Sequence, residues 1–171
     1  MTSPFEVLGV PLLFSLDEQE LARRHRDLSR ALHPDRYAGR SAGERREALS
    51  RAITVNEAFR KLRDPISRAE ALLLQLGREV SETNQPKPDA SLLMQVMEER
   101  EALSAARRAG DRDRIEGIAA QASGRAEDAT ERMADAFSEE PIPVEQVLKL
   151  LGELRYLRRL KEEAGAALDE L

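Results

Sequence analysis

The sequence predicts an all-α protein made of two helical units, and three observations support this. Ala, Leu, Arg and Glu dominate the 171 residues, and these residue types favour helix over strand. Apolar residues recur every three or four positions, and several of these runs open with a capping residue. An aperiodic stretch at 77–88 contains two prolines and is predicted to be a linker. It separates a first unit, 1–76, from a second unit, 89–171.

The charge distribution and the absent residue types exclude several classes of function. Residues 1–76 hold 13 Lys/Arg and 11 Asp/Glu, whereas residues 77–171 hold 14 and 21. A nucleic-acid binder usually presents a broad basic face, which this balance argues against. With no Cys and two His, a disulfide framework is excluded and a structural zinc site is not expected. The sequence has no apolar run of membrane-spanning length and no secretion signal, so we expect a cytoplasmic protein. We also expect that the protein needs no cofactor.

The first unit opens with a short helical turn and a capped helix. The turn runs from Phe5 to Gly9, and glycine is a typical C-terminal stop. Asp17 is predicted to cap the next helix, with Glu20 completing a capping box. One stripe of that helix is apolar apart from a histidine: Leu21, His25, Leu28 and Leu32. We expect His25 to be a partly buried packing residue rather than a metal ligand or a base.

A His-Pro-Asp turn follows this helix. Pro34 disfavours helical backbone at the residue before it, so the helix should end close to His33. His33 and Asp35 are then exposed at the tip of a helical hairpin, because a new capped helix starts at Ser41. By itself such a tripeptide is most often only a turn. In this position it could present an imidazole and a carboxylate to another protein.

Three arginines share the opposite stripe of the helix before the turn: Arg23, Arg26 and Arg30. A stripe of this kind is usually a solvated helix face. Beside the His-Pro-Asp turn it is also a candidate docking surface for an acidic partner. Both interpretations stay open at the level of the sequence.

The helix from Ser41 to Arg63 carries two apolar faces and is therefore predicted to pack against two neighbours. One neighbour is the arginine-bearing helix. The other is the segment 66–76, which Pro65 opens and Gly77 ends. The second face contains Leu49, Ile53 and Asn56, which we expect to be buried against one of these two neighbours.

The first helix of the second unit also carries two apolar stripes. Asp89 is predicted to cap this helix, which runs to about Ala109. Leu92, Val96 and Leu103 form the stripe that a core helix needs. The second stripe lies nearly opposite and includes two glutamates: Leu93, Met94, Met97, Glu98 and Glu101. This stripe is either buried against a second neighbour or exposed as a partner site edged with carboxylates.

Two further helices complete the second unit. One is capped by Asp111 and runs to about Ser138, and the other runs from Val144 towards Leu171. A corner with two prolines at 141–143 separates them. Three helices with short connections predict an antiparallel three-helix bundle.

These segments together resemble one family of J-domain proteins, the HscB co-chaperones of iron–sulfur cluster assembly. A His-Pro-Asp turn between a basic helix and a capped helix is similar to the J-domain itself. The likeness continues through the segments 8–11, 53–59, 62–65, 68–73, 93–101 and 154–157. Ala71 stands where the family usually has Tyr.

The resemblance implies a fold and two binding surfaces. A J-domain, made of a helical hairpin with short flanking helices, and a C-terminal three-helix bundle would form an L. The first implied surface binds an ATPase chaperone of the HscA/DnaK class and stimulates it: His33, Pro34, Asp35, Arg23, Arg26 and Arg30. The second implied surface binds the iron–sulfur scaffold protein IscU: Leu93, Met94, Met97, Glu98, Glu101 and Tyr156. The likeness also favours an exposed second stripe.

The implied function is that of a co-chaperone that delivers the scaffold to the ATPase and promotes cluster assembly or transfer. One alternative is a J-domain protein that serves a different client with a general DnaK-type chaperone. Another is a hydrolase in which His33 is a base oriented by Asp35, but no nucleophile or glycine-rich oxyanion loop accompanies them. We therefore expect no catalytic residues, and partners that are proteins rather than nucleic acids or membranes.

Overall fold

The computed structural model describes residues 2–80 and 90–171. All regular secondary structure assigned within these ranges is helical. The elements are α1 (Pro4–Leu8), α2 (Glu18–Ala31), a 3₁₀ helix (Pro34–Tyr37), α3 (Ala42–Arg63), α4 (Pro65–Gln75), α5 (Ala90–Ala109), α6 (Arg112–Ser138) and α7 (Val144–Asp169). The backbone forms two compact units, Met1–Val80 and Ser81–Leu171. The predicted all-α fold is confirmed. Most of the predicted linker and the predicted cap Asp89 lie outside the described residues.

Capping fixes where the helices of the first unit start. The Ser41 hydroxyl accepts a hydrogen bond from the backbone N–H of Glu44, whose carboxylate bonds back to the Ser41 backbone N–H. Asp17 caps α2 by accepting from the N–H groups of residues 19 and 20. Of the predicted capping box at Asp17, the bonds accepted by the Asp17 side chain are formed, and the return bond from the Glu20 side chain is not. The carboxylate of Glu20 instead accepts from Arg23 and Arg24, since charge-assisted bonds to guanidinium are stronger than a bond to a neutral N–H.

Helix α3 is the centre of the first unit and packs against α1, α2 and α4. The largest apolar side chains of this core are Phe5, Leu8, Phe14, Leu21, Val55, Leu62, Ile66, Leu72 and Leu73. The buried guanidinium of Arg68 adds a polar contact, because its Nη1 donates to the carbonyl oxygen of Phe14 at 2.7 Å. It also lies 5.1 Å from the centre of the Phe14 ring.

The expected burial of the second face of α3 is wrong for its two aliphatic residues. Leu49 and Ile53 are 58% and 51% exposed. Helix α4 begins directly after α3 and has 11 residues against 22, so it cannot extend along the first half of α3. This leaves that part of the face without a covering neighbour among the described residues.

The second unit is a bundle of α5, α6 and α7, joined by the short connections 110–111 and 139–143. Gly110 ends α5 with a φ of 66°, a left-handed conformation that glycine adopts without a steric penalty. The core between α5, α6 and α7 is rich in alanine and leucine: Leu103, Ala106, Ile115, Ala122, Tyr156, Leu157, Leu160, Ala164 and Ala167. This core positions α5, the helix that carries the second stripe.

Candidate functional site

The His-Pro-Asp turn is exposed and has a defined local geometry. Helix α2 ends at Ala31, and His33 has extended backbone (φ −61°, ψ 135°) before the 3₁₀ helix begins at Pro34. The backbone N–H of Asp35 donates to Nδ1 of His33 at 3.3 Å, and an Asp35 carboxylate oxygen lies 3.4 Å from the same nitrogen. The side chains of His33 and Asp35 are 58% and 90% exposed. The turn thus presents both groups outward.

The three predicted arginines differ in how they are held. Arg23 is engaged within its own helix, because it donates to Glu20 at 2.7 Å and to Asp27 at 3.0 Å. Bonds from Arg23 and Arg24 lower the pKa of Glu20 to about 2. The side chains of Arg26 and Arg30 are exposed and form no hydrogen bond or ion pair with any residue in the described ranges. Two of the three guanidinium groups are therefore free to meet a partner.

His25 joins the two helices of the hairpin rather than forming a site. Its ring stacks on that of Phe59, with the ring centres 4.1 Å apart. Its Nε2 lies 2.8 Å from the side-chain oxygen of Asn56. The predicted packing role of His25 is confirmed, and the contacts with α3 hold α2 in place beside the turn.

The second stripe of α5 lies on the surface of the bundle. We call it the α5 ridge, defined by Leu93, Met94, Met97, Glu98 and Glu101. Its apolar members are 47%, 64% and 71% exposed in chain order. Its two glutamates are exposed and form no ion pair with described residues. The ridge therefore combines apolar side chains with unpaired negative charge, as partner surfaces often do.

Tyr156 does not share this surface, although the resemblance grouped it with the ridge. It is only 5% exposed, and its hydroxyl donates to the carboxylate of Glu99 at 2.8 Å. Burial, and then the hydrogen bond to Glu99, raise the pKa of Tyr156 above its ordinary value. Tyr156 therefore lies against α5 in the bundle core, and its part in scaffold binding stays a prediction.

Beneath the ridge lies a group of polar contacts that the sequence did not predict. We call Glu99, Arg125, Glu153 and Tyr156 the interior clamp. Arg125 of α6 pairs with Glu99 of α5 and lies 3.8 Å from Glu153 of α7. The three charged side chains are about one-fifth exposed. The sequence held one signal, since Glu99 falls on the core stripe of α5.

Two further ion pairs join the second half of α5 to α7. Arg100 donates to Glu163 of α7 at 2.5 Å, and Arg107 pairs with Glu170 of α7. The side chains of both pairs are about half exposed, so each pair contributes little to stability. Among these contacts the charged groups of the interior clamp are the least exposed, so we expect the clamp to contribute most to the position of α5.

Residues 2–80 and 90–171 contain no group of three or more His, Cys, Asp or Glu residues arranged to hold a metal ion. No helix within them combines the length and the apolar character needed to cross a membrane.

Comparison with known proteins supplies a family for this arrangement. Residues 88–165 match the family described as the HSCB C-terminal oligomerisation domain. A co-chaperone protein HscB homolog of Shewanella loihica is 35% identical over 169 residues, which cover 98% of each chain. A match to the co-chaperone protein HscB of Proteus mirabilis is 40% identical over 99 residues, and it spans 57% of that relative.

Two solved structures share the fold of the whole chain. The chaperone HscB from Vibrio cholerae superposes with a TM-score of 0.84 at 26% identity, covering 99% of both chains. The human co-chaperone protein HscB gives a TM-score of 0.89 over all of this chain and 84% of the human one. Its 24% identity supports the fold alone.

Proposed function

The chain belongs to the HscB family of co-chaperones, and from this membership we propose that it links an IscU-type iron–sulfur scaffold to an HscA/DnaK-class ATPase. In this proposal the J-domain stimulates the ATPase and the three-helix bundle holds the scaffold. One observation supports it above the others: the His-Pro-Asp turn and the α5 ridge are both exposed, and each lies in its own unit.

The chemistry of the turn suits an interaction with a basic group of the chaperone. The carboxylate of Asp35 is almost fully exposed, so it can accept a directional, charge-assisted bond from an arginine. His33 lies beside it and can donate or accept. The free guanidinium groups of Arg26 and Arg30 would steer the turn towards an acidic surface. Binding of this kind would favour the chaperone conformation that hydrolyses ATP, because a ligand shifts a population by its preference for one state.

The chemistry of the ridge suits a folded client with an apolar patch. Leu93, Met94 and Met97 offer apolar contact area, and methionine adapts to the shape of its partner. Glu98 and Glu101 at its edge would pair with basic residues of the client. Two modest interfaces on one chain then raise the effective concentration of scaffold near chaperone. No step of this role requires a catalytic group on this chain.

The ATPase test uses the most exposed group of the turn. We expect Asp35→Asn to reduce stimulation of the chaperone ATPase to its basal rate, because it removes the charge of the acceptor while keeping its shape. Steady-state ATP hydrolysis, measured with a DnaK-class chaperone and rising co-chaperone, reports this. The melting temperature should not change, since the side chain is 90% exposed. Arg36→Ala, an exposed neighbour in the same turn, is the matched control.

Unchanged stimulation by Asp35→Asn would contradict the role of the turn. A separate calorimetric titration of this chain with the apo scaffold tests whether the scaffold is the client. Stimulation without scaffold binding would favour the alternative, a J-domain protein that serves another client.

A further inference from the structure

A cleft of about 230 Å³ opens beside the α5 ridge. Helices α5, α6 and α7 each contribute to its lining: Glu98, Glu99, Ala102, Ile118, Gln121, Ala122 and Leu160. We call it the α5–α6 cleft. Glu98 belongs both to the cleft and to the ridge, so the two features form one continuous surface.

The floor of the cleft is apolar and well buried. Ala122 and Leu160 are each 2% exposed, and Ile118 and Ala102 form half-buried walls. The space exists because alanine stands at 102 and 122, where longer side chains would fill it. A buried apolar floor reached from an exposed surface is the setting in which one inserted side chain contributes most to binding.

Two of the residues that line the cleft are charged, Glu98 and Glu99. Glu99 is already paired with Arg125 and bonded to Tyr156, so its charge is compensated. Glu98 has no such partner in the described ranges. An occupant that brought a positive charge next to an apolar group would satisfy both the rim and the floor.

We propose that the α5–α6 cleft receives one aliphatic or methionine side chain of the scaffold, flanked there by a Lys or Arg that pairs with Glu98. This rests on the proposed function and specifies the chemistry of the scaffold surface that binds. The cleft adjoins the ridge through Glu98, so a scaffold lying on the ridge reaches it without a second docking event. Its volume lies below the range of typical small-molecule sites and suits one side chain.

Filling the cleft tests the proposal without altering the ridge. We expect Ala102→Leu to weaken binding of the apo IscU-type scaffold about tenfold, because the new side chain occupies the space of the inserted one. Calorimetric titration measures this. Ala120→Leu is the matched control, since Ala120 is exposed on α6 and does not line the cleft. It should change the affinity by less than about twofold. Ala102→Met gives the same expectation if leucine disturbs the helix.

A double-mutant cycle identifies the inserted residue. Each surface Leu, Ile or Met of the scaffold that neighbours a Lys or Arg is replaced by Ala. Each scaffold variant is then titrated against the natural chain and against Ala102→Leu. We expect one such replacement to weaken binding to the natural chain and to have no further effect on Ala102→Leu.

Three outcomes would overturn the proposal, and they are distinguishable. If Ala102→Leu binds normally while Met97→Ala binds weakly, the ridge is used and the cleft is not. If no scaffold residue is coupled to Ala102, nothing is inserted there. If the natural chain does not bind the scaffold at all, the proposed function fails and the cleft proposal fails with it.

Discussion

The His-Pro-Asp turn and the α5 ridge both present exposed groups, yet they are positioned by different kinds of contact. In the turn, the contact that orients Asp35 comes from His33, two residues earlier in the chain. The ridge depends on helices that are distant in sequence, since Glu99 contacts Arg125 and Tyr156. A surface of the first kind is altered mainly by changes within it. A surface of the second kind can be altered by residues that the partner never touches.

Substitutions in the α5 ridge itself should have the largest effect on scaffold affinity. Replacing Leu93 and Met97 together by Ala removes two exposed apolar side chains, and scaffold affinity should fall about a hundredfold. Stimulation of the ATPase without scaffold should stay unchanged, since these residues lie in the other unit. Calorimetric titration and steady-state ATP hydrolysis measure the two properties on the same preparation. Normal scaffold affinity would mean that the ridge is not the binding surface.

A smaller effect should come from the interior clamp. Arg125→Met leaves the carboxylate of Glu99 about one-fifth exposed without its ion pair. The expected loss of stability is about 1–3 kcal/mol. Scaffold affinity should also fall, because α5 loses the contact that positions its outer face, whereas ATPase stimulation should not. Urea unfolding and calorimetric titration report the two effects.

The matched control for the clamp is Arg112→Met. Arg112 also lies on α6, and within residues 2–80 and 90–171 its side chain pairs only with Glu116 of the same helix, at 3.0 Å. An exposed pair of this type contributes little, so this variant should resemble the natural chain. If Arg125→Met keeps full scaffold affinity, the clamp stabilises the bundle without positioning the ridge.

The smallest effect concerns one hydroxyl. Tyr156→Phe removes the bond to Glu99 and should cost about 1 kcal/mol at neutral pH. The pKa of Tyr156 is raised in the folded chain, so its stabilising contribution is complete below the pKa of the unfolded chain. It is lost as pH rises from about 10, the ordinary tyrosine value, towards the folded pKa.

Urea unfolding at pH 8 and pH 10.5 tests this sign. The difference in stability between the natural chain and Tyr156→Phe should shrink at the higher pH. Tyr37→Phe, at the other of the two tyrosines, serves as the control. A difference that grew with pH would contradict the assigned direction.

The sequence determined the features that depend on neighbours close along the chain. Helix starts at Asp17, Ser41 and Asp111 are each set by bonds spanning no more than three residues. The end of α2 and the exposed turn follow from Pro34, whose ring acts on the residue before it. The sequence was sufficient for these features, because in each of them the interacting groups lie within one helical turn of each other.

Only the tertiary structure decided which apolar faces are covered. Periodicity shows which residues share a face, but burial depends on where the neighbouring helix ends. The second stripe of α5 and the second face of α3 had similar patterns, and Leu49, expected to be buried, is exposed like Met97. Tyr156 was placed on a surface by resemblance and lies inside, bonded to Glu99. That bond joins residues 57 positions apart, and such a contact forms only once the bundle has assembled.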